Sequence, residues 1–156
     1  MKAGKHLVES GDSSLFTPGI VNICLAIEVF LKSLNSKIIC TVDEFRTDDS
    51  YLMIGREETN KVIAGGRGHE LSELFNQLPD RAKNDITQLA QTFGYNDSVG
   101  EGLKVYDRVF VDWRYIYEKR DSSSLSTHPL FNICNAIIKY CENNKDKGMT
   151  AIDVLL

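Results

Sequence analysis

The sequence predicts an all-α fold, an up-and-down antiparallel bundle of four main helices with short extra ones, and three observations carry that expectation. Apolar residues recur at spacings of three and four along most of the chain, which is the repeat of an amphipathic helix. Residues 20–34 are apolar on nearly every side, as a central buried helix requires. The connections are mostly short, which favours antiparallel neighbours. With 156 residues, 42% hydrophobic and 26% charged, the chain has the composition of one globular domain spanning residues 1–156. Its net charge of -4 excludes a basic nucleic-acid footprint spread over the whole surface and leaves room for a local one.

Taken in order, residues 2–10 read as a short helix ending near Gly11, with Leu7 and Val8 turned inward. Thr17-Pro18 reads as the start of the central helix, with Thr17 capping and Pro18 at the first helical position, and Ser36 as its approximate end. Asn22, Glu28 and Lys32 interrupt its apolar run, which at residues 20–34 is too short and too charged to span a bilayer. Residues 41–50 are rich in acids and hydroxyls. A small β-hairpin insertion is expected at about 50–65, pairing residues 51–54 with 61–64, before Gly65-Gly66-Arg67-Gly68 punctuates the chain.

Residues 69–78 then form a short helix with Leu71, Leu74, Phe75 and Leu78 on one face. Pro79 opens another, carrying Ile86, Leu89, Ala90 and Phe93 and stopping at Gly94. A long helix is expected over 98–119, with Leu103, Tyr106, Phe110, Trp113 and Tyr117 as a packing seam. The last helix begins at His128-Pro129 and buries Leu130, Ile133, Cys134, Ile137 and Cys141. It is followed by an apolar tail, residues 150–156, that needs a groove. Cys24, Cys40, Cys134 and Cys141 form no Cys-x-x-Cys pair and read as small buried hydrophobes of a reducing compartment; no metal and no cofactor is expected.

A few polar residues carry the chemistry. Glu28 and Lys32 stand one helical turn apart in apolar surroundings, so Glu28 must be paired. The pair is either an intrahelical bridge near the surface or a polar notch into the bundle. Arg114 and Glu118 repeat that spacing; Arg114 sits within Trp113-Arg114-Tyr115-Ile116-Tyr117, where stacking on a ring and bidentate binding of a phosphate are both accessible, as is a plain surface salt bridge. Arg120 ends one helix and His128 begins the next. If His128 caps its helix, the positive end of the dipole favours a neutral imidazole able to accept a proton, with Arg120 stabilising a phosphoryl oxygen; otherwise His128 is an exposed loop histidine. His69, after Gly68, reads as a capping or packing residue.

Three segments together resemble HEPN domains (higher eukaryotes and prokaryotes nucleotide-binding). Ile23-Cys24-Leu25-Ala26-Ile27-Glu28-Val29-Phe30-Leu31-Lys32 is similar to the family's second helix, often an Ala-x-Glu-x-x-x-Lys arrangement among aliphatics. Gly68-His69-Glu70-Leu71 resembles its Gly-His-Asp-Leu segment, and Trp113-Arg114-Tyr115-Ile116-Tyr117-Glu118 looks like the Arg-Tyr-x-Tyr-Glu segment of a divergent bacterial branch. The resemblance implies an RNA- or nucleotide-binding or interaction module of a stress, toxin–antitoxin or phage-defence system. It also implies a homodimer with RNA, nucleotide, antitoxin or another protein as partner; a cytoplasmic chain without membrane association is expected separately, from the interrupted apolar run and the unpaired cysteine pattern. Active relatives carry Arg, four to six residues, then His. Here seven residues separate Arg120 from His128, so the standard ribonuclease motif is absent. The alternative is a divergent metal-independent ribonuclease using catalytic His128 with Arg120 or Arg114, while Arg114, Glu118, Glu28 and Lys32 form the binding set.

Overall fold

The computed structural model describes residues 2–44, 56–63, 65–109 and 127–144. Among the described residues the fold is all-α apart from one hairpin. Its elements are α1 (Lys2–Glu9), α2 (Ser13–Leu34), β1 (Lys37–Glu44), β2 (Arg56–Ile63), α3 (Leu71–Asn76), α4 (Asp80–Thr92), α5 (Val99–Lys104) and α6 (Thr127–Asn144).

The central helix starts earlier than Thr17-Pro18. Asp12 caps it, its carboxylate accepting from the Ser14 amide at 2.8 Å and the Ser14 hydroxyl at 2.7 Å. Pro18 therefore lies inside α2, where its missing N–H costs the helix one hydrogen bond, to the Ser14 carbonyl. The earlier start also overturns the expectation that this segment is too short for a bilayer. Residues Ser14–Leu34, with an 18-residue window of mean hydropathy 1.8, meet that requirement by length and composition. What they do in this fold is pack: Ile20, Ile23, Cys24, Ile27, Leu31 and Leu34 are buried, and α2 contacts α1, α3 and α6. Leu25 and Val29 remain on the outside of the helix.

Two glycines explain how closely α1 crosses α2. A methyl group on Gly19 would lie 2.6 Å from Val8 Cγ2 and 3.0 Å from the Gly4 carbonyl oxygen, and one on Gly4 would lie 2.8 Å from Ile23 Cγ1. Small residues at 4 and 19 let Val8 reach the core, with Gly11 (φ 77°) turning the chain between the helices.

The hairpin stands earlier than expected. β1 pairs antiparallel with β2 from Lys37↔Ile63 to Glu44↔Arg56, so the first strand is 37–44. The expected first strand, 51–54, lies outside the described residues. Ile38, Ile39, Thr41 and Val42 supply the β-branched run that favours an extended chain, and the acids and hydroxyls that begin at Thr41 hid it.

The face of α3 is as expected, with Leu71, Leu74, Phe75 and Leu78 buried. On α4, Ile86 and Ala90 are fully buried, whereas Phe93 is exposed. Phe93 is the C-cap of a Schellman turn: the Gly94 amide donates to the Gln91 carbonyl and the Tyr95 amide to the Ala90 carbonyl, both at 2.9 Å, with Gly94 at φ 87°. Tyr95, just past the glycine, takes the inward place instead, and its hydroxyl donates to the Ser98 carbonyl at 3.1 Å.

The long helix expected over 98–119 is not continuous. α5 ends at Lys104 and residues 105–108 turn, so of the proposed seam Leu103 is buried on α5 and Tyr106 in the turn after it, while Phe110, Trp113 and Tyr117 lie outside the described residues. A reason is visible at Asp107, whose carboxylate leaves the helix to accept from the Ser72 amide (2.8 Å) and hydroxyl (2.5 Å), capping α3. Finally, α6 begins by Thr127, so His128 is a residue of its first turn and not its cap. Leu130, Ile133, Cys134 and Ile137 face the core and Cys141 is half-buried. Burial pushes the Cys24 and Cys134 thiols up to about 12, which keeps them protonated and unreactive.

Candidate functional site

The one buried acid among the described residues builds the site. Glu28 is 7% exposed, on the edge of the α2 face that enters the core. Its Oε1 accepts from Lys32 Nζ at 2.8 Å, the i, i+4 bridge expected from the sequence. The same oxygen lies 2.8 Å from Nδ1 of His69, forty-one residues away. The His69 side chain is 68% exposed, so a nearly buried carboxylate holds an imidazole at the surface.

The chain around His69 is pinned on both sides. Before it, the Ser36 hydroxyl donates to the Lys32 carbonyl (2.8 Å) and accepts from the Gly65 amide (3.4 Å), while Asn35 Nδ2 donates to the carbonyls of Leu31 and Leu74, each at 3.0 Å. After it, Asp107 caps α3. Between these pins the glycines do the steering. Gly65 passes so close to the Asn35 carbonyl that a side chain there would overlap it, and Gly66 (φ 79°) and Gly68 (φ 96°) adopt a left-handed backbone that bulkier residues resist. The expected role of His69 as a cap or packing residue is thus replaced: the N-cap of α3 is Glu70, and His69 completes the Glu28 site.

Because an ionised carboxylate can only accept, Glu28 makes Nδ1 of His69 the protonated ring nitrogen, leaving the Nε2 lone pair for a ligand when the ring is neutral. Burial by itself raises the Glu28 carboxyl, but the hydrogen bonds and charges of Lys32 and His69 outweigh it and hold the group below the usual glutamate range. Because the folded value is depressed, the stability it contributes is complete above the unfolded value and is lost as pH falls through the folded one. Exposed Asp12 and Asp80 are lowered too, by Ser14 and Lys83, so acid sensitivity must be read as a difference. The excess stability of wild type over Glu28→Gln, from urea unfolding, is expected to be constant near neutrality and to shrink between about pH 5 and pH 3. A pH-independent difference would show that Glu28 is not ionised in the folded state.

Of the other residues singled out in the sequence, Arg114, Glu118 and Arg120 lie outside the described residues, and so does any meeting of Arg120 with His128. His128 is exposed on the first turn of α6, and its Nδ1 accepts from Asn132 Nδ2 at 3.1 Å. That bond places the proton of the neutral ring on Nε2, which makes His128 a donor where the cap argument gave a proton acceptor. Separately, an open cleft of about 360 Å³ between α4 and α6 is lined by Arg81, Asp85, Gln88, Leu89 and Tyr140 among others, and touches none of the Glu28 cluster.

The chain matches no protein-family model, no curated protein and no solved structure. The function must therefore be argued from the side chains.

Proposed function

We propose that the chain is a HEPN-like RNA- or nucleotide-binding module that grips a ligand phosphate at His69, Lys32 and Arg67. The observation carrying this reading is the His69–Glu28–Lys32 cluster. Two of the three segments behind the family resemblance, Ala26-Ile27-Glu28-Val29-Phe30-Leu31-Lys32 and Gly68-His69-Glu70-Leu71, meet there, Glu28 to His69, at 2.8 Å. Lys32 cancels the Glu28 charge, and exposed Arg67, two residues before His69, adds a cation on the same loop. A cationic spot of this size fits one or two phosphates and is compatible with an acidic chain. The module acts in the cytoplasm as a homodimer, within a stress, toxin–antitoxin or phage-defence system, and its protein partner there is an antitoxin or a comparable regulator.

Fluorescence anisotropy with a labelled single-stranded oligonucleotide carrying 2′-O-methyl riboses tests the binding. Arg67→Ala and Lys32→Ala are each expected to weaken binding about tenfold, the size of one charge-assisted hydrogen bond, and to flatten its salt dependence. Binding unchanged by either substitution would place the ligand elsewhere.

The second reading, a metal-independent ribonuclease using His128 with Arg120 or Arg114, draws its support from the exposure of His128 on the first turn of α6, where the Asn132 hydrogen bond leaves Nε2–H as a proton donor to a leaving oxygen in place of the base expected from the sequence. It predicts that RNA breakdown in EDTA disappears in His128→Ala.

A further inference from the structure

We propose that the free edge of β1 pairs with the same edge of a second copy of this chain, so that two hairpins close into one four-stranded antiparallel sheet. The proposal rests on the homodimer of the reading above and supplies a surface for it. β1 and β2 form a two-stranded sheet, tied to the helical body at its base, where the Ser36 hydroxyl accepts from the Gly65 amide. The packing that joins the helices runs between α1 and α2, α2 and α3, α2 and α6, α3 and α5, α4 and α6, and α5 and α6; among the described elements neither strand takes part in it. A two-stranded ribbon needs a third strand or a helix against it to be stable in water, and its edges offer rows of free backbone donors and acceptors.

Backbone geometry limits how β1 can pair with itself. Alternate residues of a strand direct their N–H and C=O to opposite edges, and residues that stand opposite each other in an antiparallel ladder both direct theirs toward the shared edge or both away from it. Two identical strands therefore pair only in registers where the paired residue numbers add up to an even number, which places the two-fold axis at a residue. Centred on Cys40, the register sets Lys37 of each copy opposite Asp43 of the other, Ile38 opposite Val42 and Ile39 opposite Thr41. Centred on Thr41, it sets Ile38 opposite Glu44 and Ile39 opposite Asp43; centred on Ile39, it leaves Asp43 and Glu44 without a counterpart. The edge of β2 is less suited. Centred on Thr59 it sets Arg56 opposite Val62, and centred on Asn60 it sets Glu57 opposite Ile63 and Glu58 opposite Val62.

A second observation selects the same contact. Within one hairpin Asp43 is the register partner of Glu57, and like charges directly opposite each other are destabilising. The register centred on Cys40 brings Lys37 of the other copy into that row, once at each end of the β1–β1 ladder.

Sedimentation velocity over a concentration series of the full chain tests the pairing. Wild type is expected to dimerise. Lys37→Glu and Asp43→Lys each bring like charges together at both ends of the ladder, and each alone is expected to raise the dimer Kd at least about tenfold. Neither sets like charges opposite each other within the hairpin, because Lys37 stands opposite Ile63 and Asp43 opposite Glu57. An equimolar mixture of the two variants restores opposite charges at both ends and is expected to form a heterodimer of near wild-type affinity. A wild-type dimer that tolerates both variants overturns the β1 surface and keeps the homodimer reading. Dimerisation lost in each variant and not repaired in the mixture overturns the surface too. A wild type that stays monomeric throughout the series overturns both.

Discussion

Replacing Ile27 with alanine is expected to cost about 2–5 kcal/mol of folding stability, a large share of the ~5–15 kcal/mol that holds a domain together. Ile27 has no exposed surface and stands one turn from Ile23 and from Leu31, which are equally buried. The three lie along the buried face of α2, a helix that packs on α1, α3 and α6, so a void at residue 27 opens in the middle of the core. Removing three carbons there forfeits their transfer energy, and the neighbours close the gap only in part. Val29, two residues on, is 58% exposed, and Val29→Ala is expected to change stability by no more than about 0.5 kcal/mol. Urea unfolding of the two variants checks both numbers. The contrast also decides what α2 is, since length and hydropathy alone allow it to cross a bilayer. A one-sided response belongs to a helix packed on protein on one face. Equal losses at 27 and 29 would mean that the outer face is covered as well.

The helices were legible because their signals are local. The apolar periods of α3, α4 and α6 can be counted along the chain, and Leu71, Leu74, Ile86, Leu130 and Ile137 are buried where those periods put them. Boundaries fared worse wherever two signals competed. Thr17-Pro18 is a sound helix start by composition, yet Asp12 offers an earlier cap and the core rewards the extra turn through Phe16. The break after Lys104 depends on Asp107 finding Ser72, a contact across thirty-five residues that no window of sequence contains.

The site divides in the same way. Glu28–Lys32 is a spacing within one helix and was readable, and the need of a buried acid for a partner was readable too. That need has two answers in the fold, and only Lys32 was near in sequence. His69 arrives through a glycine loop pinned at Ser36 and Asn35, a path set by tertiary contacts. The signal that existed was the loop itself: Gly66 and Gly68, alternating with larger residues just before a histidine, mark backbone that must bend in a left-handed way to present the imidazole.

That loop gives the sharpest link between fold and site, and Gly66→Ala is expected to break it. At φ 79° an alanine pays about 1–2 kcal/mol in conformational strain. Its methyl group would also meet Leu74 Cδ2 at 2.6 Å and Gln77 Oε1 at 3.2 Å, adding about 1–3 kcal/mol of overpacking. Leu74 is fully buried and its carbonyl is held by Asn35, so the loop backbone is the part free to yield. Moving it draws His69 away from Glu28. Gly68→Ala shares the strain at φ 96° but meets nothing nearer than Glu73 Oε2 at 4.0 Å. The expected result is that Gly66→Ala loses more stability than Gly68→Ala and, at a temperature where both remain folded, binds the 2′-O-methyl oligonucleotide several-fold more weakly than wild type. Histidine NMR supplies the direct check, because the Nδ1–H signal of His69 persists only while Glu28 shields it from exchange. Should that signal and the affinity both survive in Gly66→Ala, the loop does not position the imidazole, and the Glu28 carboxylate alone accounts for where His69 sits.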